Sequence, residues 1–309
     1  MEVHVWSSLE EQVDTVLPVE IAGDKYLVAV TSFLEGNDWS SSVRLLRYAS
    51  GVFEHVHALR LPTSVASVAW FEPDVLVCAG DDGDLYYCMY DTEASRWRRL
   101  DPEVAHGHND LITSVDIHVS TLASASWDNS VKVWDLTTMA LREQLKDHTD
   151  KVWGVQWAPL ATEQCATASQ DRTVRLWDTR QPRATTSVST PSAAMCVAWH
   201  PTQDHLVTTG LEDGSLWTID TRSLETTLST LNQVHRSSVH AISYHDDALA
   251  SASDDTTVQI WDHLSSASPT QRLVYDEHAD YVHGVAWWHG NCVVSSSYDK
   301  SVHLWPVEA

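Results

Sequence analysis

The chain has 309 residues, with 43 Asp and Glu against 19 Lys and Arg, for a formal charge of −24. Its 43% hydrophobic and 20% charged content fits a globular protein and not a disordered acidic tail. No apolar run approaches the roughly 20 residues of a membrane span, Met1 to Trp6 lack the basic and apolar parts of a signal peptide, and the negative charge opposes binding to bare nucleic acid.

Read in chain order, short alternating runs recur between Asp, Asn and Gly turns, the grammar of strands and hairpins. Val3 to Trp6 form a first such run. Next comes Leu34-Glu35-Gly36-Asn37-Asp38-Trp39-Ser40-Ser41-Ser42, read as a long turn, and then Ser41 to Leu46. His55 and His57 share one face of a strand; with no third ligand nearby, they read as surface histidines before they read as a metal pair. Val65-Ala-Ser-Val-Ala-Trp70 has counterparts ending at Trp157, Trp199 and Trp287. A second motif, Ser126-Trp-Asp-Asn-Ser-Val-Lys-Val-Trp134-Asp135, returns at Ser169 to Asp178, Ser253 to Asp262 and Ser297 to Trp305. Weaker copies lie at Leu211 to Asp220 and Asp81 to Cys88. Aligned on Trp134, the seven copies end at residues 46, 88, 134, 177, 219, 261 and 305, spaced by 42 to 46 residues. The repeat explains a composition of 15 Trp and 17 His with only 3 Phe. Cys78, Cys88, Cys165, Cys196 and Cys292 are odd in number, scattered and never in a CxxC pair, so they read as reduced core thiols.

A period of 42 to 46 closing on Trp-Asp resembles the WD-repeat β-propeller family over essentially the whole chain. The resemblance implies an all-β fold of seven four-stranded blades in one domain, 1–309, with Val3 to Trp6 closing the ring as the outer strand of the last blade. It also implies buried networks running from Asp to His, from His to a strand Ser or Thr, and from that hydroxyl to an indole N–H. The residues concerned are His108, Asp128 and Trp134; His148, Asp171 and Trp177; His235, Asp255 and Trp261; His278, Asp299 and Trp305. Four copies at one spacing are architecture and not catalytic triads. The blades ending near 46, 88 and 219 lack the His and are expected to be softer. With no HExxH, GxSxG or P-loop, the chain reads as no enzyme and carries no cofactor.

Three features remain. Trp39, among Gly36, Asn37, Asp38 and Ser40, is either folded back over its blade or an exposed anchor for a protein partner, the role in which Trp is most enriched. Asp81, Glu212 and Asp254 precede the turn Asp of their blades, while Asp110, Asp150 and Asp280 follow a motif His by two residues. These acids are expected on one face, either as solvated turns or as a platform for basic segments. Trp177-Asp-Thr-Arg180, with a poorer copy at Ile219 to Arg222, matches the WDxR signature of cullin ubiquitin-ligase substrate receptors, which gives an alternative reading.

Less generic residues narrow the resemblance. Leu34, Gly36, Trp39 and Ser42, then Trp177 to Pro182, Val197 to Pro201 and Trp305-Pro-Val307, are similar to the methylosome protein 50 family, the WD-repeat partners of protein arginine methyltransferase 5. The likeness implies a non-catalytic adaptor in a hetero-oligomer, cytoplasmic and nuclear. In that reading Trp39 inserts into the methyltransferase's N-terminal barrel, and basic substrates such as histones and Sm proteins are presented. The chain departs from that family in lacking a Pro-rich leader and in keeping more intact WD motifs.

Overall fold

Short strands joined by tight turns pair with their chain neighbours, and here every described strand but the first does so. A computed structural model describes residues 3–7, 10–35, 38–71, 74–100, 107–181, 183–223, 227–289 and 291–307, without the side chains of Glu35 and Asp38. These residues form seven four-stranded antiparallel sheets, the blades of a propeller. Blade one is Gln12–Ile21, Asp24–Glu35, Asp38–Ala49 and Val52–Leu61, and its first strand lies innermost, as in every blade. Each sequence copy that closes on Trp or its equivalent ends at a third strand, and in the first six blades a fourth strand follows outside it. The seventh blade has three consecutive strands, Val282–Trp288, Cys292–Ser297 and Ser301–Pro306, and takes its outer strand, His4–Ser7, from the start of the chain. His4 lies opposite Leu304 and Ser7 opposite Ser301, so the last blade has no bare third-strand edge.

The tryptophans of the Val-rich inner strands tie blade to blade. Trp157 Nε1 donates to the Asp116 carbonyl (3.2 Å), Trp199 Nε1 to the Gln156 carbonyl (3.2 Å) and Trp287 Nε1 to the Ser243 carbonyl (2.9 Å). In each case the acceptor belongs to the preceding blade. Trp70 packs instead edge-on against Trp97 within its own blade, with centroids 6.0 Å apart. The inner strands approach so closely that a Cβ on Gly154 would lie 3.2 Å from Cys196 Cα, and one on Gly284 would lie 3.2 Å from Thr15 Cα. Glycine at these two positions lets neighbouring backbones meet.

Every inner strand also carries a β-bulge at the same place. The pairing skips between Val13 and Thr15, Val65 and Ser67, Ile112 and Ser114, Val152 and Gly154, Ala194 and Cys196, Val239 and Ala241, and Val282 and Gly284. The skipped residues are Asp14, Ala66, Thr113, Trp153, Met195, His240 and His283, and all seven line one cavity of about 240 Å³ at the centre of the ring. A bulge re-aims the side chain it leaves unpaired. Here seven bulges aim one residue from each blade at the axis.

Candidate functional site: the face of the second-to-third strand turns

Blades three and four build their turns in the same way. His108 Nδ1 lies 3.0 Å from Asp128 Oδ2 and its Nε2 lies 2.8 Å from Ser124 Oγ, which also accepts Trp134 Nε1–H at 2.9 Å. His148 repeats this with Asp171 (2.8 Å), Thr167 (2.7 Å) and Trp177 Nε1–H on Thr167 (2.9 Å). A carboxylate only accepts, so Nδ1 carries the proton and Nε2 takes the hydroxyl's. In blade seven, His278 meets Asp299 (2.9 Å) and Ser295 (2.8 Å), with Trp305 Nε1–H at a longer 3.3 Å. Burial opposes ionisation of Asp128, Asp171, Asp255 and Asp299. Hydrogen bonds from the His and the turn hydroxyl outweigh it, and each carboxylate sits well below its ordinary range.

Blade six departs from the expected network. His235 reaches Asp255 (3.1 Å) and Ser251 (2.8 Å), but the buried Trp261 Nε1–H finds no partner. Trp261 is held by packing against Leu216, Leu249 and Leu264 instead. The blades without a motif His use other means. In blade one, Arg44 reaches Glu11 (2.6 Å) and Thr31 (3.1 Å); in blade two, Tyr86 O–H donates to Asp82; in blade five, Thr208 and Thr218 hydroxyls meet at 2.9 Å.

Trp39 is not in a long turn. The second and third strands of blade one pair as far as Glu35 and Asp38, so Trp39 stands on a strand directly opposite Leu34. Both strands run 12 residues, against five to seven in the other six blades, and the hairpin extends as a ribbon. Trp39 is 48% exposed and Leu34 57% exposed. Beside them, Phe33 lies under the Arg60 guanidinium at 4.3 Å, and a cleft of about 460 Å³ opens among Glu10, Phe33, Leu34, Trp39 and Lys300. Ser40 is buried, with its hydroxyl unpaired. Gly36 and Asn37, and the side chain of Asp38, lie outside the described residues.

The acids fall into two groups. Asp81, Asp110, Asp150, Glu212 and Asp280 are exposed, and the carboxylates of Asp110, Asp150 and Asp280 each accept the next residue's N–H at 2.8 Å. Asp254 differs: it is half-buried and held by two imidazoles, His240 Nε2 at 3.0 Å and His283 Nε2 at 3.1 Å, so it is not a free surface charge. Basic groups interrupt the acidic turns, with Lys151 lying 3.4 Å over the Trp127 ring. At the axis, Asp14 accepts Ser32 O–H at 3.0 Å while its other oxygen is buried and unpaired. Burial, helped by the Asp81 charge and only partly offset by Ser32, raises the Asp14 pKa to about 7.

Arg180 follows a third strand and so lies at the opposite end of its blade. Its guanidinium folds back on Asp178, with Nε 2.7 Å from Oδ1, and Arg222 does the same with Asp220 at 3.0 Å. His57 is no lone surface group, because its Nδ1 accepts Trp97 N–H from blade two at 3.3 Å.

A family model described as "WD domain, G-beta repeat" matches residues 102–135, 140–178, 225–262 and 269–306. The chain is a WD-repeat propeller. The matched stretches coincide with the blades that keep the motif His. Among similar proteins, "Methylosome protein WDR77" of Xenopus laevis is 26% identical over 282 residues, covering 85% of this chain and 80% of its own length. "Ribosome biogenesis protein WDR12 homolog" of Oryza sativa subsp. japonica is 27% identical over 74% of this chain, and the chain spans 59% of that protein. "E3 ubiquitin-protein ligase COP1" of Arabidopsis thaliana is 26% identical over 46% of this chain, which spans 21% of its length.

Sequence reasoning missed the axial ring. A signal was there: His240 and His283 each follow the first apolar residue of an inner strand, at the same place in consecutive repeats.

Proposed function

We propose that this WD-repeat propeller is a non-catalytic adaptor of a type II protein arginine methyltransferase, one that makes symmetric dimethylarginine. The observation that carries the reading is the blade-one ribbon, which lifts Leu34 and Trp39 out of the packed sheet as an exposed apolar pair. A large aromatic beside an aliphatic, rimmed by charge, is the composition of an interface hot spot. The likeness to a methylosome protein over 85% of the chain supports the same reading. The exposed acids Asp81, Asp110, Asp150, Glu212 and Asp280 give the face a charge suited to steering basic substrates such as histones and Sm proteins. Such an adaptor works in a hetero-oligomer in cytoplasm and nucleus.

The test is size-exclusion chromatography with light scattering of the chain mixed with the methyltransferase, wild type beside Trp39→Ala. The wild type co-elutes, while Trp39→Ala keeps its fold and loses about 2–4 kcal/mol of binding. Co-elution of the mutant at wild-type affinity removes Trp39 as the anchor. If neither variant co-elutes, the adaptor reading fails. The ubiquitin-ligase reading then comes forward through Arg180, 67% exposed at its side chain and turned onto Asp178.

A further inference from the structure

The bulges of blades six and seven bring two imidazoles onto one carboxylate at the axis. His240 Nε2 lies 3.0 Å from Asp254 Oδ2, and His283 Nε2 lies 3.1 Å from Asp254 Oδ1. The three ligand atoms lie within 4.8 Å of one another. The rings stack at 4.2 Å with 21° between their planes. In this arrangement each Nε2 gives its hydrogen to Asp254, and a bound cation would take the place of those two protons. Neighbours hold the arrangement: Tyr298 packs on His283 at 4.3 Å, and the bulges fix where both strands turn inward.

We propose that His240, Asp254 and His283 form a divalent transition-metal site, with Zn²⁺ the best-fitting ion. Two imidazole nitrogens and one carboxylate oxygen are the donor set of an open zinc site, which leaves a fourth position for water or a ligand atom. That position faces the central cavity of about 240 Å³, which has room for it. The cavity is also lined by acids and under-satisfied. Asp14 opens onto it with one buried oxygen unpaired, and Asp81 lies on its wall. A dication answers both conditions: it offsets the carboxylate charge and gives the wall a polar centre to hydrate against. The second His-Asp-His group, His278, Asp299 and His303, is already committed, because His278 serves Asp299 and Ser295 while His303 bonds Tyr275 at 2.8 Å and Ser301 at 2.9 Å.

The experiment uses the whole chain freed of metal with a chelator, then titrated with Zn²⁺ by calorimetry and with Co²⁺ by visible absorption. One Zn²⁺ per chain is expected, together with a Co²⁺ ligand-field band that Zn²⁺ abolishes. Asp254→Asn and His283→Gln should each weaken Zn²⁺ by at least about tenfold, since each removes one ligand. His303→Gln should leave the stoichiometry and affinity unchanged. Circular dichroism of each apo variant separates ligand loss from misfolding, and His240→Gln serves if either of the others fails to fold. No stoichiometric uptake by the wild type overturns the site. So does uptake that survives Asp254→Asn and His283→Gln, or that is lost with His303→Gln.

Discussion

Asp14 shows what one misplaced charge costs. In the unfolded chain its carboxyl ionises near 4, but in the folded protein it holds its proton to about 7. Between those limits the unfolded state gives up the proton first, so this residue's contribution to stability falls as pH rises from about 4 to about 7 and is flat above. Ser32, Gln12, Asp81 and Tyr298 are the polar and titratable groups in play around it. Asp14→Asn keeps the Ser32 hydrogen bond and cannot ionise. Denaturant melts in the presence of a chelator should show the variant gaining about 2 kcal/mol more over wild type at pH 8 than at pH 5.5. An equal effect at both values would mean that Asp14 is ionised throughout. The sequence gives no hint of this carboxyl's burial, because an Asp within a strand reads as a solvent-facing residue until the bulge turns it inward.

At the scale of a blade, repeats that look alike are not held alike. Trp134 and Trp261 occupy the same place in their motifs, and both are buried. Only Trp134 completes the chain of hydrogen bonds to its strand hydroxyl. Phe keeps most of the apolar surface and drops the N–H. Trp134→Phe should therefore cost about 1 kcal/mol more than Trp261→Phe in equilibrium unfolding. Equal losses would show that the indole bond adds nothing beyond packing. The blade count and the order of strands were legible in the sequence because spacing and turn chemistry repeat every 42 to 46 residues. The His and Asp partnerships were implied by the resemblance to WD repeats, at positions that the same register marks. What escaped was set by backbone irregularity: the bulges that aim His240 and His283, and the pairing that carries Trp39 up a ribbon. Alternation within a strand marks a face, but it does not say where a strand gains an extra residue or how far it continues past its sheet.

For the whole molecule, the ring depends on contacts between distant parts of the chain. His4–Ser7 cover the third strand of blade seven along four residue pairs. Deleting residues 1–7 should bare that edge, and light scattering should then report self-association with a broadened thermal transition. A monomer melting like wild type would show that the edge needs no cover. A second long-range join lies nearer the axis, where Gly284 meets Thr15 across the seam between the last blade and the first. The timing of folding follows from it. Blade one can hairpin early, but its inner strand has a flank that only blade seven can cover, and blade seven leaves the ribosome after the other six. Until then the growing arc carries an apolar side at each end, so loop closure over nearly the full sequence is the slow step. A nascent chain of this design is most in need of chaperone protection just before blade seven emerges.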